Sequence, residues 1–138
     1  MSIDNNLIIY DLLDLTKLQN SLHNLQQLTF KYNFNQPLNN SLNNLINLQQ
    51  LTFSHNFNQQ LDNLLNNLIS LEQLSLGYYF EKKINIPYNI KNIKLDCNNI
   101  NLIENLPDNI EELYLFYNFR LKLNNLPSSI KIIKRNQN

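Results

Sequence analysis

Six letters, Leu-Gln-Gln-Leu-Thr-Phe, begin at Leu25 and begin again, unchanged, at Leu48. The correspondence runs further. Leu25, Leu28, Phe30, Asn33, Phe34, Asn35, Leu38, Leu42 and Leu45 each have an identical counterpart 23 residues on, from Leu48 to Leu68. Chance does not preserve polar letters together with apolar ones at a fixed offset, so the two stretches are duplicates. The same spacing, with looser lettering, restarts at Leu71, Ile90 and Ile110, and a truncated unit starts at Ile130. A period this short constrains a chain severely, because one unit cannot enclose a core of its own. Its apolar side chains are covered only when successive units stack, so the array must coil into a solenoid.

When each unit is numbered from its first residue, positions 4 and 6 are apolar and their neighbours polar, the two-residue alternation of a half-buried strand. Strand cores are expected near 28–30, 51–53, 74–76, 93–95, 113–115 and 133–135, each beside its predecessor as a parallel pair. Asn33, Asn56, Asn98 and Asn118 occupy position 9, where the chain leaves the strand. Buried amides there would form a structural ladder by bonding backbone groups of adjacent turns; Tyr79 interrupts it in the third unit. Phe34, Phe57, Phe80 and Phe119 follow at position 10 and are spaced to stack as a column. The 23-residue units have room for a short helical or 3-10 turn on the back, around 40–45 and 63–68. The later units, 19 or 20 residues long, predict extended backs, with Leu106-Pro107 and Leu126-Pro127 before the next start.

Residues 1–24 fit the pattern poorly and read as an N-terminal cap or degenerate repeat ahead of repeats over 25–138. Leu7, Ile8, Ile9 and Tyr10 could form a first strand. Leu12, Leu15, Leu18, Leu22 and Leu25 then recur at helical steps, with Asp11 or Asp14 as N-cap. The 138 residues suit one domain. Formal net charge is zero, which argues against nucleic acid and against an anionic membrane surface as partners. Lys131, Lys134 and Arg135 form the one basic cluster and suit a solvated end. A single cysteine, Cys97, permits no internal disulfide and fits an intracellular setting. No signal peptide and no apolar run long enough to span a membrane are legible.

Ile90, Ile93, Leu95, Asn98 and Ile100 fill every fixed slot of L-x-x-L-x-L-x-x-N-x-L, the leucine-rich-repeat pattern. The segments Phe34-Asn35-Gln36-Pro37-Leu38, Phe57-Asn58-Gln59-Gln60-Leu61 and Leu126-Pro127-Ser128-Ser129-Ile130 resemble the FNIP repeat, over roughly residues 25–138. That resemblance implies a leucine-rich-like protein of social amoebae or giant amoebal viruses, in the latter case in the host cytoplasm. Some members carry an F-box ahead of the repeats and capture substrates for a ubiquitin ligase; residues 1–24 are shorter than that module. The expected fold is α/β: a short leucine-rich-repeat-like solenoid with a parallel β-sheet on the concave face and mostly irregular or 3-10 convex segments.

On such a scaffold, positions 3, 5, 7 and 8 face the concave surface. Position 8 gives Tyr32, His55, Tyr78, Cys97 and Tyr117; position 7 includes Asp96 and Phe116, and position 5 includes Tyr114. The expected partner-binding set is Tyr32, His55, Tyr78, Asp96, Tyr114, Phe116 and Tyr117, aromatics on rigid strands serving as anchors for an unknown protein or peptide. No catalytic, cofactor or metal site is expected: His23 and His55 fall at unrelated positions, and no zinc-type, paired-cysteine or glycine-rich phosphate motif exists. The expected function is non-catalytic protein–protein recognition. The alternatives are a remnant of a longer array, a substrate-recognition part lacking its F-box, and self-association through the uncapped C-terminal end near Ile130 and Ile133.

Overall fold

The computed structural model describes residues 5–18, 21–31, 33–61, 63–116 and 122–135. Each unit contributes a four-residue strand to one parallel sheet: β1 (Asn6–Ile9), β2 (Gln27–Phe30), β3 (Gln50–Phe53), β4 (Gln73–Leu76), β5 (Asn92–Leu95), β6 (Glu112–Leu115) and β7 (Ile132–Arg135). Strand order follows chain order, so the sheet is open and each connection is one turn of a coil. The repeat letters set the register: Leu28 lies beside Leu51, Leu51 beside Leu74, Leu74 beside Ile93 and Ile93 beside Leu113. The α/β solenoid implied by the spacing is the observed fold, and every expected strand core lies in a strand.

Strands β2 to β6 share one burial pattern, with second and fourth residues buried and first and third half-buried. The buried side chains form one core along the axis. Within it the phenylalanines stack from unit to unit. Phe34 and Phe57 lie 6.1 Å apart at 13°, Phe57 and Phe80 lie 6.2 Å apart at 2°, and Phe30 stacks on Phe53 at 5.3 Å. Phe119 lies outside the described residues. In the fourth unit the same slot holds Asn99, itself only 7% exposed.

The first turn of the coil opens in the same way. β1 pairs with β2, Leu7 beside Leu28, and α1 (Leu12–Leu18) follows it. Asp11 caps that helix, with Leu13 N donating to Asp11 Oδ1 at 2.9 Å. The helical spacing continues to Leu25 in the sequence, but α1 ends at Leu18; Leu22 and Leu25 are buried outside it. Residues 39–44 form turns closed by i to i−3 bonds, such as Ser41 N to Leu38 O at 2.8 Å, and the equivalent segment of the next unit holds a helical turn, α2 (Leu64–Asn67), as the 23-residue spacing predicts. The backs depart from expectation in one place. A helix, α3 (Ile100–Glu104), also occurs in the 20-residue fourth unit, where an extended back was expected. The reason is local. With asparagine in the phenylalanine slot, Leu102 and Ile103 supply the buried surface instead, and a helical turn aims both at the core.

Candidate recognition surface

The solvent-facing side of the sheet carries two rows fixed by the register. One runs Gln27, Gln50, Gln73, Asn92, Glu112; the other runs Thr29, Thr52, Ser75, Lys94, Tyr114. The surface is neutral, amide and hydroxyl over β2 to β4, and becomes charged and aromatic at β5 and β6. There Lys94 Nζ lies 5.3 Å from the Tyr114 ring centroid, and Tyr114 Oη donates to Glu112 Oε2. Lys91 and Glu111 approach to 3.9 Å beside this region, an exposed pair of little energetic weight. Phe116, past the end of β6, is 37% exposed.

A compact aromatic cluster stands beyond the C-terminal ends of β3 and β4. His55 stacks on Tyr78 at 5.2 Å and 12°, and Tyr79 meets both edge-on, at 5.2 Å from His55 and 5.0 Å from Tyr78. Tyr78 and Tyr79 are 40% and 52% exposed. Gly77, the only glycine in the chain, makes this arrangement accessible. A Cβ there would lie 2.3 Å from Ser54 O, so the turn after β4 seats against the turn after β3 only because no side chain intervenes. Tyr79 N then donates to His55 O at 3.0 Å and Phe80 N to Gly77 O at 3.2 Å, fixing the cluster's backbone.

Of the expected partner-binding residues, the structure brings His55 and Tyr78 into contact and places Tyr114 and Phe116 two strands away, on β6 and just after it. Asp96 is half-buried after β5; burial pushes its carboxyl above the ordinary carboxylate value, and His55 pulls in the opposite direction. Tyr32 and Tyr117 lie outside the described residues. Cys97, expected on the same face, is instead 1% exposed, and its thiol is pushed up to about 11, chiefly by burial. Ile93, Leu95, Cys97 and Asn99 are all buried, so the inward alternation of β5 continues past the strand and turns Cys97 into the core. Tyr79, an exposed member of the cluster, occupies the asparagine slot of its unit, and its adjacency to Tyr78 is the sequence signal for its place in the cluster.

The expected asparagine ladder lies nearer solvent than a buried column would. Asn33 and Asn98 are exposed, Asn56 is half-buried, and Asn118 lies outside the described residues. Asn56 Nδ2 does donate to Asn33 Oδ1 at 2.7 Å, but side chain to side chain near solvent. Position 10 takes the inward direction, through phenylalanine or Asn99, which leaves position 9 pointing out. One set of amides that bind backbone stands immediately before the unit starts at 48, 90 and 110. Asn47 Nδ2 donates to His23 O at 2.8 Å, Asn89 Nδ2 to Leu68 O and Leu71 O at 3.1 and 2.7 Å, and Asn109 Nδ2 to Ile90 O at 2.9 Å. The column Asn24, Asn47, Ser70, Asn89, Asn109, Ser129 was readable in the sequence. A second set links Asn35 Oδ1 to Asn58 N at 2.9 Å and Asn58 Oδ1 to Glu81 N at 3.0 Å.

Among the described residues, no group of three or more His, Cys, Asp or Glu side chains is placed to hold a metal ion, and no helix is long and apolar enough to cross a membrane. Exposed rings on a fixed backbone, next to a mixed polar sheet face, can desolvate and anchor a partner's side chains. In comparisons with known proteins, the chain matches no family model and no curated sequence.

Proposed function

We propose that the protein is a non-catalytic repeat scaffold that recognises a protein or peptide through the solvent-facing side of its sheet. The observation that carries this reading is the His55–Tyr78–Tyr79 cluster, stacked, exposed and held by backbone hydrogen bonds on the ends of packed strands. Large rigid aromatics lose little side-chain entropy on binding and bury much surface, which is why they dominate interface energetics. Tyr114 and Phe116 extend the aromatic surface two strands further along the same sheet. On this reading the chain is a module of the FNIP, leucine-rich-like type acting inside an amoebal or virus-infected cell. The test is quantitative capture from amoebal lysate by the full chain and by a Tyr114→Ala/Phe116→Ala variant of matched thermal stability. The expected result is at least one protein retained by the native chain and depleted about tenfold or more by the variant, the loss typical of removing aromatic anchors from an interface. Equal retention of every captured protein would refute the reading.

A further inference from the structure

The phenylalanine column is interrupted at Asn99, and beside the interruption lies a cleft of about 400 Å³ between the turns that follow β4 and β5. Tyr78, Tyr79 and Glu81 line it from the first turn, and Asn98 and Asn99 from the second. The tyrosine rings stand at 87° to one another, and each is partly open to solvent. The face of an aromatic ring is the negative pole of its quadrupole. Among the described residues, the one charged side chain lining the cleft is Glu81. Asn99 commits its Nδ2 protons to Phe80 O and Lys82 O, at 3.4 and 3.1 Å, so its remaining polar atom is an acceptor. Two tyrosine rings, the Glu81 carboxylate and an amide oxygen therefore share one cleft of net negative charge.

We propose that this cleft takes the guanidinium of an arginine side chain from the partner, stacked on a tyrosine face and paired with the Glu81 carboxylate. The inference rests on the recognition-scaffold reading and adds the chemical class of what is recognised. Arginine fits better than lysine because its planar, weakly hydrated head stacks on rings and offers five donors at once. A neutral sugar fits less well, because it gains nothing from the carboxylate's charge. The walls are already in place. Phe80 is fully buried between the exposed residues, Glu81 N is held by Asn58 Oδ1, and Tyr79 N by His55 O. Little backbone ordering is left for the ligand to impose.

The experiment is an amide-detected NMR titration of the full chain with acetyl-Gly-Arg-Gly-amide, against the same peptide carrying citrulline, which keeps the planar shape and loses the charge. The arginine peptide should move the signals of residues 78–81 and 98–101 and saturate; the citrulline peptide should bind about tenfold more weakly, as expected for a partly desolvated cation on aromatic rings. Glu81→Gln should weaken arginine binding several-fold, and Tyr79→Leu, which keeps apolar bulk without a ring, should weaken it further. Glu81 and Tyr79 are exposed, so neither variant threatens folding. Equal binding of the two peptides, unchanged affinity in Glu81→Gln, shifts centred elsewhere or no shifts at all would each overturn the proposal. Failure here with capture still dependent on Tyr114 and Phe116 sinks the cleft alone. Saturable arginine binding with capture indifferent to those residues sinks the sheet-face reading alone.

Discussion

Gly77→Ala is the sharpest test of how the surface is built, because two opposed effects predict different signs. The backbone at Gly77 is not in the left-handed region, so alanine can adopt it without torsional strain. In an unobstructed site the change would stabilise the protein by about 0.4–1 kcal/mol, by narrowing the unfolded ensemble. The site is obstructed. The added methyl would lie 2.3 Å from Ser54 O, 2.5 Å from Ser54 C and 2.8 Å from His55 N. The carbonyl-carbon contact alone is about 1 Å inside the usual range of carbon–carbon approach. All three atoms are backbone, so no rotamer change relieves them. Ser54 N is tied to Phe30 O and Tyr79 N to His55 O, both at 3.0 Å, so the turns cannot separate without breaking bonds. Overpacking costs about 1–3 kcal/mol, and three backbone contacts this close place the site in the upper half of that range, so the net loss after the entropic gain is about 1–2.6 kcal/mol. Urea unfolding followed by circular dichroism should show a lower midpoint at unchanged slope. An unchanged or raised midpoint would refute the claim that the turns meet at this glycine.

Asn89→Ala should lower stability by about 1–2 kcal/mol in the same assay, because Leu68 O and Leu71 O lose their shared donor in a partly buried setting; a neutral result would mean that water replaces the amide. Asp96→Asn should alter the pH profile. The folded chain raises the Asp96 pKa above 3.8, so this group's contribution is full at lower pH and is lost as pH rises through the folded value. The variant should therefore be more stable than the native chain at neutral pH, with the difference closing below about pH 3.8, and parallel profiles would count against the burial that raises this pKa.

The strands were legible because two signals coincide in them. Alternation of period two defines which residues point inward, and the repeat spacing defines which strands pair; Leu28, Leu51, Leu74, Ile93 and Leu113 satisfy both. The turns after the strands were harder, because two adjacent residues compete for one inward direction. At Asn33-Phe34 the ring wins and the amide faces solvent. At Cys97-Asn98-Asn99 the strand's alternation simply continues, burying the cysteine and the second asparagine. No letter pattern ranks those outcomes in advance, since packing volume decides them. The close approach at Gly77 was hidden for a related reason, because a missing side chain states only that something comes near, not what.

The register and the backs obey different rules, and that has a mechanical consequence. Paired residues are 23 apart between β2 and β3 but 19 apart between β4 and β5, while the strands stay aligned. Variation in length is absorbed entirely on the side away from the sheet. The hydrogen bonds between strands run along the stacking direction, so tension drawing β1 away from β7 loads the six interfaces in series. Such a load opens the weakest seam and then the next, rather than shearing the whole sheet. Each turn released would lengthen the chain by roughly 65–80 Å, set by its residue count. The molecule under tension behaves as a chain of separate clasps, each with its own length, and the interface at Gly77 is where a designer would look to loosen one clasp without touching the rest.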